Sequence, residues 1–339
     1  MASSSFYLSA RQRAEIATRS RHFCWRLEIP TWLLIVCVYC GWFAGVFFWN
    51  DLGPWLGTPW LVWFTTWYMS LQHELIHGHP TGNPWLNQLF GMVPLAVWYP
   101  YGLYRDTHLQ HHRNEHLTLP GDDPEAYYFS RARWENLSPA MKAVVRLRNT
   151  LPGRIVIGPL LDIVSTLTGA LMAVLRSEWR TVSMWLVHGA LLAALFSIMS
   201  RYGLPPLYFV LAVTYPALSL TKVRSFFEHR AEHAPQARST LNEAGVVWRL
   251  LFLNLNYHLV HHDLPGVPWY ALRQVYITDR EAYIRRSEGF VVQGYRQWFR
   301  DHSHQPVNVE AHPFATEKAS APSWGSDYDY HQEPPDGVV

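Results

Sequence analysis

The chain has 339 residues and a formal net charge of +2, and 49% of its residues are apolar. The length alone permits one to three soluble domains, and so small a net charge identifies no class of partner. The three cysteines, Cys24, Cys37 and Cys40, imply no disulfide framework.

The distribution of charge argues against a soluble protein. Four runs contain no Asp, Glu, Lys or Arg, and they extend over residues 29–50, 52–72, 181–200 and 202–221. Each has about 20 residues, which is the length of helix that crosses a hydrocarbon core of roughly 30 Å. Because two adjacent pairs of such runs are hard to bury in a chain of this size, we expect an all-α integral membrane protein. Its four transmembrane helices would form two hairpins.

Basic residues predict the orientation of these helices, because positive charge marks the cytoplasmic side of a membrane. Arginines precede the first run, and basic residues recur between the second and third runs. The connections inside the two pairs hold only Asp51 and Arg201. Both termini and the long central segment are therefore predicted to be cytoplasmic.

Composition divides the chain into three parts. Residues 1–28 form a basic N-terminal segment, and residues 29–300 form the membrane domain with its cytoplasmic helical cap. Within that domain, residues 155–175 are apolar but include Asp162, which suggests a helix lying in the interface plane. Residues 301–339 are rich in Pro, Ser, Asp and Glu and are predicted to be a disordered tail.

Histidines form the strongest chemical pattern. Of the 18 in the chain, twelve fall in four short windows after the predicted spans or on the cytoplasmic segments. The windows hold His73, His77 and His79; His108, His111, His112 and His116; His229 and His233; and His258, His261 and His262. Within each window, residues three or four apart lie on one face of a helix. All four windows can therefore converge on one site at the membrane surface.

The first window also contains His-Glu-Leu-Ile-His, the H-E-x-x-H motif of zinc metalloproteases. A catalytic zinc needs about three protein ligands, however, and nine or ten histidines greatly exceed that number. Imidazole suits iron, copper and zinc alike, so the ligand type does not choose the metal. The number of histidines favours two metal ions.

Together the boxes HELIH, HLQHH and HLVHH, in this order and between paired spans, resemble the integral-membrane fatty acid desaturase family of histidine-box di-iron proteins. The resemblance covers roughly residues 30 to 285 and implies two iron ions held by eight or nine histidines. Carried over by position, the implied ligands are His73, His77, His108, His111, His112, His229, His258, His261 and His262. His233 competes with His229, and His79 and His116 fit outer or surface positions better.

Other polar residues next to these boxes are candidates for supporting roles. Asn254 precedes His258 by one turn and is a candidate to hold a metal-bound water. Glu74, Glu228 and Asp263 neighbour implied ligands and are candidates to orient their imidazoles, with solvated interfacial charges as the alternative.

The resemblance implies an O₂-dependent desaturase that introduces a C=C bond into a fatty acyl or lipid substrate. No fused electron-transfer motif is present, so a separate ferredoxin- or rubredoxin-like donor is implied; no nucleic acid partner is expected. A membrane hydroxylase or ketolase, or a desaturase of a small amino-acid-derived metabolite, fits the same boxes. An intramembrane zinc protease and a metal store or transporter are alternatives of a different class.

Overall fold

The structure is a computed structural model that describes residues 10–113 and 115–315. It is mostly helical, and its two short strands, β1 (Leu241–Asn242) and β2 (Val291–Val292), pair in parallel. In chain order the α-helices are α1 (Ala10–Ser20), α2 (Phe23–Arg26), α3 (Ile29–Phe47), α4 (Trp49–Ile76), α5 (Pro84–Gly91), α6 (Tyr101–His111), α7 (Arg131–Glu135), α8 (Pro139–Arg148), α9 (Leu151–Val156), α10 (Gly158–Leu175), α11 (Trp179–Arg201), α12 (Pro206–Tyr208), α13 (Tyr215–Arg224), α14 (Val246–Leu251), α15 (His258–Asp263), α16 (Trp269–Thr278), α17 (Arg280–Arg286) and α18 (Tyr295–His302). A π-helix (Phe209–Thr214) joins α12 to α13, and a 3₁₀ turn covers Pro235–Ala237.

Four helices in the described part of the chain are long and apolar enough to cross a membrane. They are α3, α10, α11 and the continuous stretch Pro206–Arg224, and they are consistent with a multi-pass membrane protein. The predicted span at 52–72 lies within α4, which is long enough but contains five tryptophans and two prolines. These residues lower its mean hydropathy, so α4 does not belong to this set, whereas α10 does. The arrangement in two hairpins stays a prediction.

Close packing joins α3 to α4. The Cβ that an alanine would add at Gly41 would lie 2.2 Å from the Phe64 ring, so any larger residue would force that ring to move. Trp42 donates a hydrogen bond from its indole N–H to Thr65 Oγ1 over 3.1 Å, which satisfies a buried polar pair between the helices. These contacts hold α4 against α3.

Ion pairs connect α10 and α11 to neighbouring helices. Asp162, near the start of α10, pairs with Lys222 of α13, and Arg180, near the start of α11, pairs with Asp106 of α6 at 2.7 Å. The outer side chains of α10, including Leu167 and Leu171, are exposed and apolar.

Residues 301–315 of the predicted disordered tail have defined positions in the structure. Val307, Val309 and His312 are buried, because they pack onto the segment between α6 and α9. Backbone N–H groups of Val307 and His312 donate to Asn149 O and Phe129 O, each over 2.9 Å. We call residues 303–315 the C-terminal strap; the rest of the predicted tail lies outside the described residues.

Candidate metal centre

Three helix ends and one loop carry the histidines of the four windows. The first pair ends α4, where Gly78 turns the chain with a φ of +90° that favours glycine. The second window ends α6, and the last makes up most of the short helix α15. His229 lies after α13 in a loop that bridges to Ser239. The four windows are far apart in the sequence but close together in space, because the elements that carry them meet at one point.

Five of the histidines form one group with converging ring nitrogens. The Nε2 atom of His108 lies 3.1 Å from the Nε2 atoms of both His77 and His112, and His112 Nε2 lies 3.1 Å from His261 Nε2. The His73 ring centroid lies 4.5 Å from that of His108. One nitrogen from each of the five lies within 4.8 Å of the others. We call them the five-histidine group.

A second cluster, the four-histidine group, contains the other implied ligands: His111, His229, His258 and His262. His229 Nε2 lies 3.2 Å from His111 Nε2 and 2.9 Å from His258 Nε2. His258 Nε2 in turn lies 3.1 Å from His262 Nε2. The structure thus brings together all nine histidines that the resemblance implied, in two groups.

Both groups fit a metal ion by geometry, and four of their histidines also fit it by charge state. Imidazole nitrogens bound about 2.1 Å from one ion would lie roughly 3.0–3.4 Å apart, close to the spacing seen here. His73 Nε2 is buried and has no hydrogen-bond partner among the described residues. Burial also lowers the pKa of His112, His258, His261 and His262 well below the ordinary histidine value. Neutral imidazoles keep the lone pair that a metal requires.

Two carboxylates after α6 orient histidines of the second window, and neither was assigned a role from the sequence. His111 donates from Nδ1 to Asp123 Oδ1, and His108 donates from Nδ1 to Glu125 Oε1, each over 2.9 Å. Burial would lower the pKa of His111, but Glu125 and Asp123 raise it to about 9. Such partners fix the ring and direct Nε2 toward a cation. The only local signal is the acidic run after the second box.

The three acidic residues singled out from the sequence also lie near histidines. Glu74 Oε1 is 3.6 Å from His73 Nδ1, and Glu228 Oε1 is 3.5 Å from His258 Nδ1. Asp263 instead pairs with Arg286.

Glu74 is nearly inaccessible to solvent and accepts the Trp269 backbone N–H over 3.1 Å. A carboxylate held in this way is poorly placed to serve as the general base of a zinc protease.

The remaining histidines of the windows lie outside both groups. His79 donates to Glu28 Oε1 over 2.8 Å, His116 is exposed, and the His233 ring packs against Phe314. Asn254 donates from Nδ2 to Trp269 O, which leaves its buried Oδ1 without a partner among the described residues.

A cleft of about 1470 Å³ reaches both histidine groups. His73 of the five-histidine group and His111 and His229 of the four-histidine group line it. Met69 and Trp98 add apolar surface close to the histidines. The cleft can therefore bring a bound molecule to the metal-binding nitrogens.

Comparisons with known proteins agree with this geometry. A protein-family model described as fatty acid desaturase matches residues 52–290, which is more than half of the chain. The chain is also similar to the human sphingolipid delta(4)-desaturase/C4-monooxygenase DES2, with 29% identity over 210 residues. That alignment covers 59% of this chain and 57% of the relative, so the chain matches little more than half of the relative's length.

Proposed function

The chain belongs to the fatty acid desaturase family, and from that premise we propose that it is an O₂-dependent oxidoreductase that desaturates a lipid or fatty acyl substrate. The observation that carries the proposal is the convergence of nine histidines into two groups beside a cleft. Removal of two hydrogens from adjacent carbons would consume one O₂, two electrons and two protons, and would release two water molecules.

Two iron ions are the proposed cofactors, one in the five-histidine group and one in the four-histidine group. Iron bound there would activate O₂ and supply the oxidising power that breaks an unactivated C–H bond. The four-histidine group offers one ligand fewer. Asn254, with its unpartnered Oδ1, is proposed to hold a metal-bound water.

The protein's own residues would position the substrate and protect the site. The cleft restricts which substrate carbons reach the histidines. The bound carbons are then already aligned with the metal-binding site, so the reaction no longer depends on an encounter between free molecules. The apolar side chains of Met69 and Trp98 limit water close to the histidines. Asp123 and Glu125 hold two imidazoles in the orientation that a metal needs.

The orientation and the electron donor are part of the same proposal. Both termini and the histidine groups are placed on the cytoplasmic side by the distribution of basic residues. Electrons would come from a separate ferredoxin- or rubredoxin-like protein, which the basic cytoplasmic face could attract.

Hydroxylation is the second candidate reaction, because the human relative is named as both a desaturase and a monooxygenase. The two reactions differ in the fate of the substrate. Desaturation removes two hydrogens, whereas hydroxylation adds one oxygen atom. The mass of the product therefore separates them.

The proposal is tested by expression in a host that lacks the activity, followed by mass spectrometry of total lipids. Wild-type protein should yield a product with two hydrogens fewer and should purify with iron in both groups. His258→Ala should yield no product, and His116→Ala, at an exposed histidine outside both groups, should behave as wild type.

A product heavier by one oxygen would replace desaturation with hydroxylation. Purification with a single zinc and no iron, or an unchanged product from His258→Ala, would overturn the assignment of the site.

A further inference from the structure

One wall of the cleft carries a row of arginines that alternate with aromatic rings. The guanidinium carbon of Arg154 lies 3.8 Å from the Tyr127 ring centroid, and that of Arg148 lies 5.2 Å from the same centroid. Arg148 lies 5.8 Å and Arg133 5.6 Å from the Phe129 centroid. All five residues line the cleft. We call Arg133, Arg148 and Arg154 the arginine ladder.

A tight connection between α8 and α9 puts two of these arginines on the same wall. A Cβ added at Gly153 would lie 1.8 Å from Leu147 O, so the backbone can approach this closely only at a glycine. Arg154 then donates from Nε to Arg148 O over 3.2 Å. The chain holds both guanidinium groups next to the Tyr127 ring.

The three arginines of the ladder become more buried from one end of the wall to the other. Arg133 is exposed, Arg148 is 9% exposed, and Arg154 is fully buried. Burial, with the charge of Arg154, lowers the pKa of Arg148 to about 10, so it stays protonated at neutral pH. The cleft therefore has a positive wall that begins at the surface and continues inward.

No carboxylate forms an ion pair with any of these three arginines within the described residues. Arg148 donates only to Asn149 Oδ1 and Tyr127 O, and its Nη1 donates to neither. Both terminal nitrogens of Arg154 lack a hydrogen-bond partner in the part of the chain that the structure describes. The nearby acid, Asp162, is already paired with Lys222.

A buried cation is stable only with a partner that replaces its lost hydration. Aromatic faces attract guanidinium groups, but they replace only part of the lost hydration. A row of three arginines without an acid is therefore an incomplete ionic site. Arginine forks recognise carboxylates and phosphates, so the missing partner is expected to be one of these anions.

We propose that the arginine ladder binds the anionic head group, a carboxylate or a phosphate, of an amphiphilic substrate. Its apolar chain would then run along the same cleft to the histidines. Arg133 and the accessible side of Arg148 would contact the anion, and the buried Arg154 would add positive charge next to Tyr127. The identity of the ligand as a substrate rests on the proposed function; the anion site itself does not.

The test measures binding to the iron-loaded full chain in nanodiscs of neutral phosphatidylcholine, without reductant. The probes are radiolabelled palmitate, hexadecyl phosphate and hexadecanol, which share one chain and differ in head group. We expect at least one anionic probe to bind about tenfold more tightly than hexadecanol, the effect of one charged hydrogen bond. Competition by inorganic phosphate would identify phosphate, and preference for palmitate without competition would identify carboxylate.

Arg148→Gln should remove this preference and leave the affinity for hexadecanol unchanged. The matched control is Arg146→Gln, on the same helix, where Arg146 is exposed and already pairs with Glu310 at 2.9 Å. Arg133→Gln, at the exposed end, leaves the core intact and should reduce the preference about threefold, as expected for a solvated contact.

Equal affinity for all three probes in the wild type would overturn the proposal, as would an equal loss for every probe in both ladder variants. The ladder would then be only a structural stack. Because no turnover is measured, failure of the desaturase proposal would leave this result valid, and failure here would leave the desaturase proposal untouched.

Discussion

The substitution Asp123→Asn tests how strongly the chain itself prepares the metal centre. Asp123 is buried and accepts three hydrogen bonds, from His111 Nδ1 (2.9 Å) and from the backbone N–H groups of Thr118 (2.8 Å) and Glu125 (2.9 Å). Asparagine keeps the shape but loses the charge, and its NH₂ must face at least one of these donors.

The magnitude follows from those three contacts. A charged hydrogen bond contributes about 1.5–3 kcal/mol, and an N–H left buried without an acceptor costs about 1–3 kcal/mol. The free energy of unfolding of the variant should therefore fall by roughly 3–5 kcal/mol. Removal of a partner that orients a ligating histidine typically lowers metal affinity about 10–100-fold.

The assay is a chelator titration of purified protein, with iron per chain measured by elemental mass spectrometry. Asp122→Asn is the matched control, because the neighbouring carboxylate is exposed and lies 3.9 Å from the exposed His116. Thermal unfolding of the iron-free proteins separates a folding defect from a loss of iron. Iron retention by Asp123→Asn at the wild-type level, or an equal loss in Asp122→Asn, would refute the reasoning.

Two further predictions concern stability. Gly153→Ala places a Cβ 1.8 Å from Leu147 O and should lower the free energy of unfolding by about 1–3 kcal/mol, seen as a lower melting temperature. Gly169→Ala, in α10 with nothing within 4 Å of the added Cβ, should be neutral or stabilising by up to about 1 kcal/mol. Burial, with the nearby charge of Arg238, lowers the pKa of His312 to about 4. Because the unfolded chain binds this proton near pH 6.5, stability should be complete above that pH and fall as the pH drops toward 4. Hydrogen exchange of the C-terminal strap should show this fall in stability with pH in the wild type and not in His312→Gln. The same pH dependence in the variant would exclude His312 as its cause.

The membrane helices could be predicted from the sequence only in part. Absence of charge located the first, third and fourth runs, because a span must satisfy its backbone internally and avoid ionised side chains. Absence of charge was a poor guide to spanning for residues 52–72 and 155–175. Residues 52–72 are charge-free but contain many tryptophans. Residues 155–175 are more apolar despite Asp162, whose charge is balanced by Lys222 from α13.

The C-terminal strap shows the limit of composition as a guide to order. Residues 303–315 are polar and contain proline, which is typical of disorder. Their order comes from a few buried side chains and from hydrogen bonds to residues such as Asn149 and Phe129, more than 150 positions away in the chain. Such contacts have no local signal.

The histidine boxes were sufficient to list the nine ligands that the resemblance implies. Their spacing brings pairs to one helix face, and the structure places all nine in the two groups. How the nine divide between the groups follows from the tertiary structure alone. In each of the two H-x₂-H-H boxes, the outer pair four residues apart joins one group and the middle histidine joins the other: His108 and His112 separate from His111, and His258 and His262 from His261. Helical spacing fixes which rings share a face. Which histidines of the other elements join them depends on where α4, α6, α15 and the His229 loop converge. Long-range packing sets that convergence, and it also supplies Asp123, Glu125 and the arginine ladder.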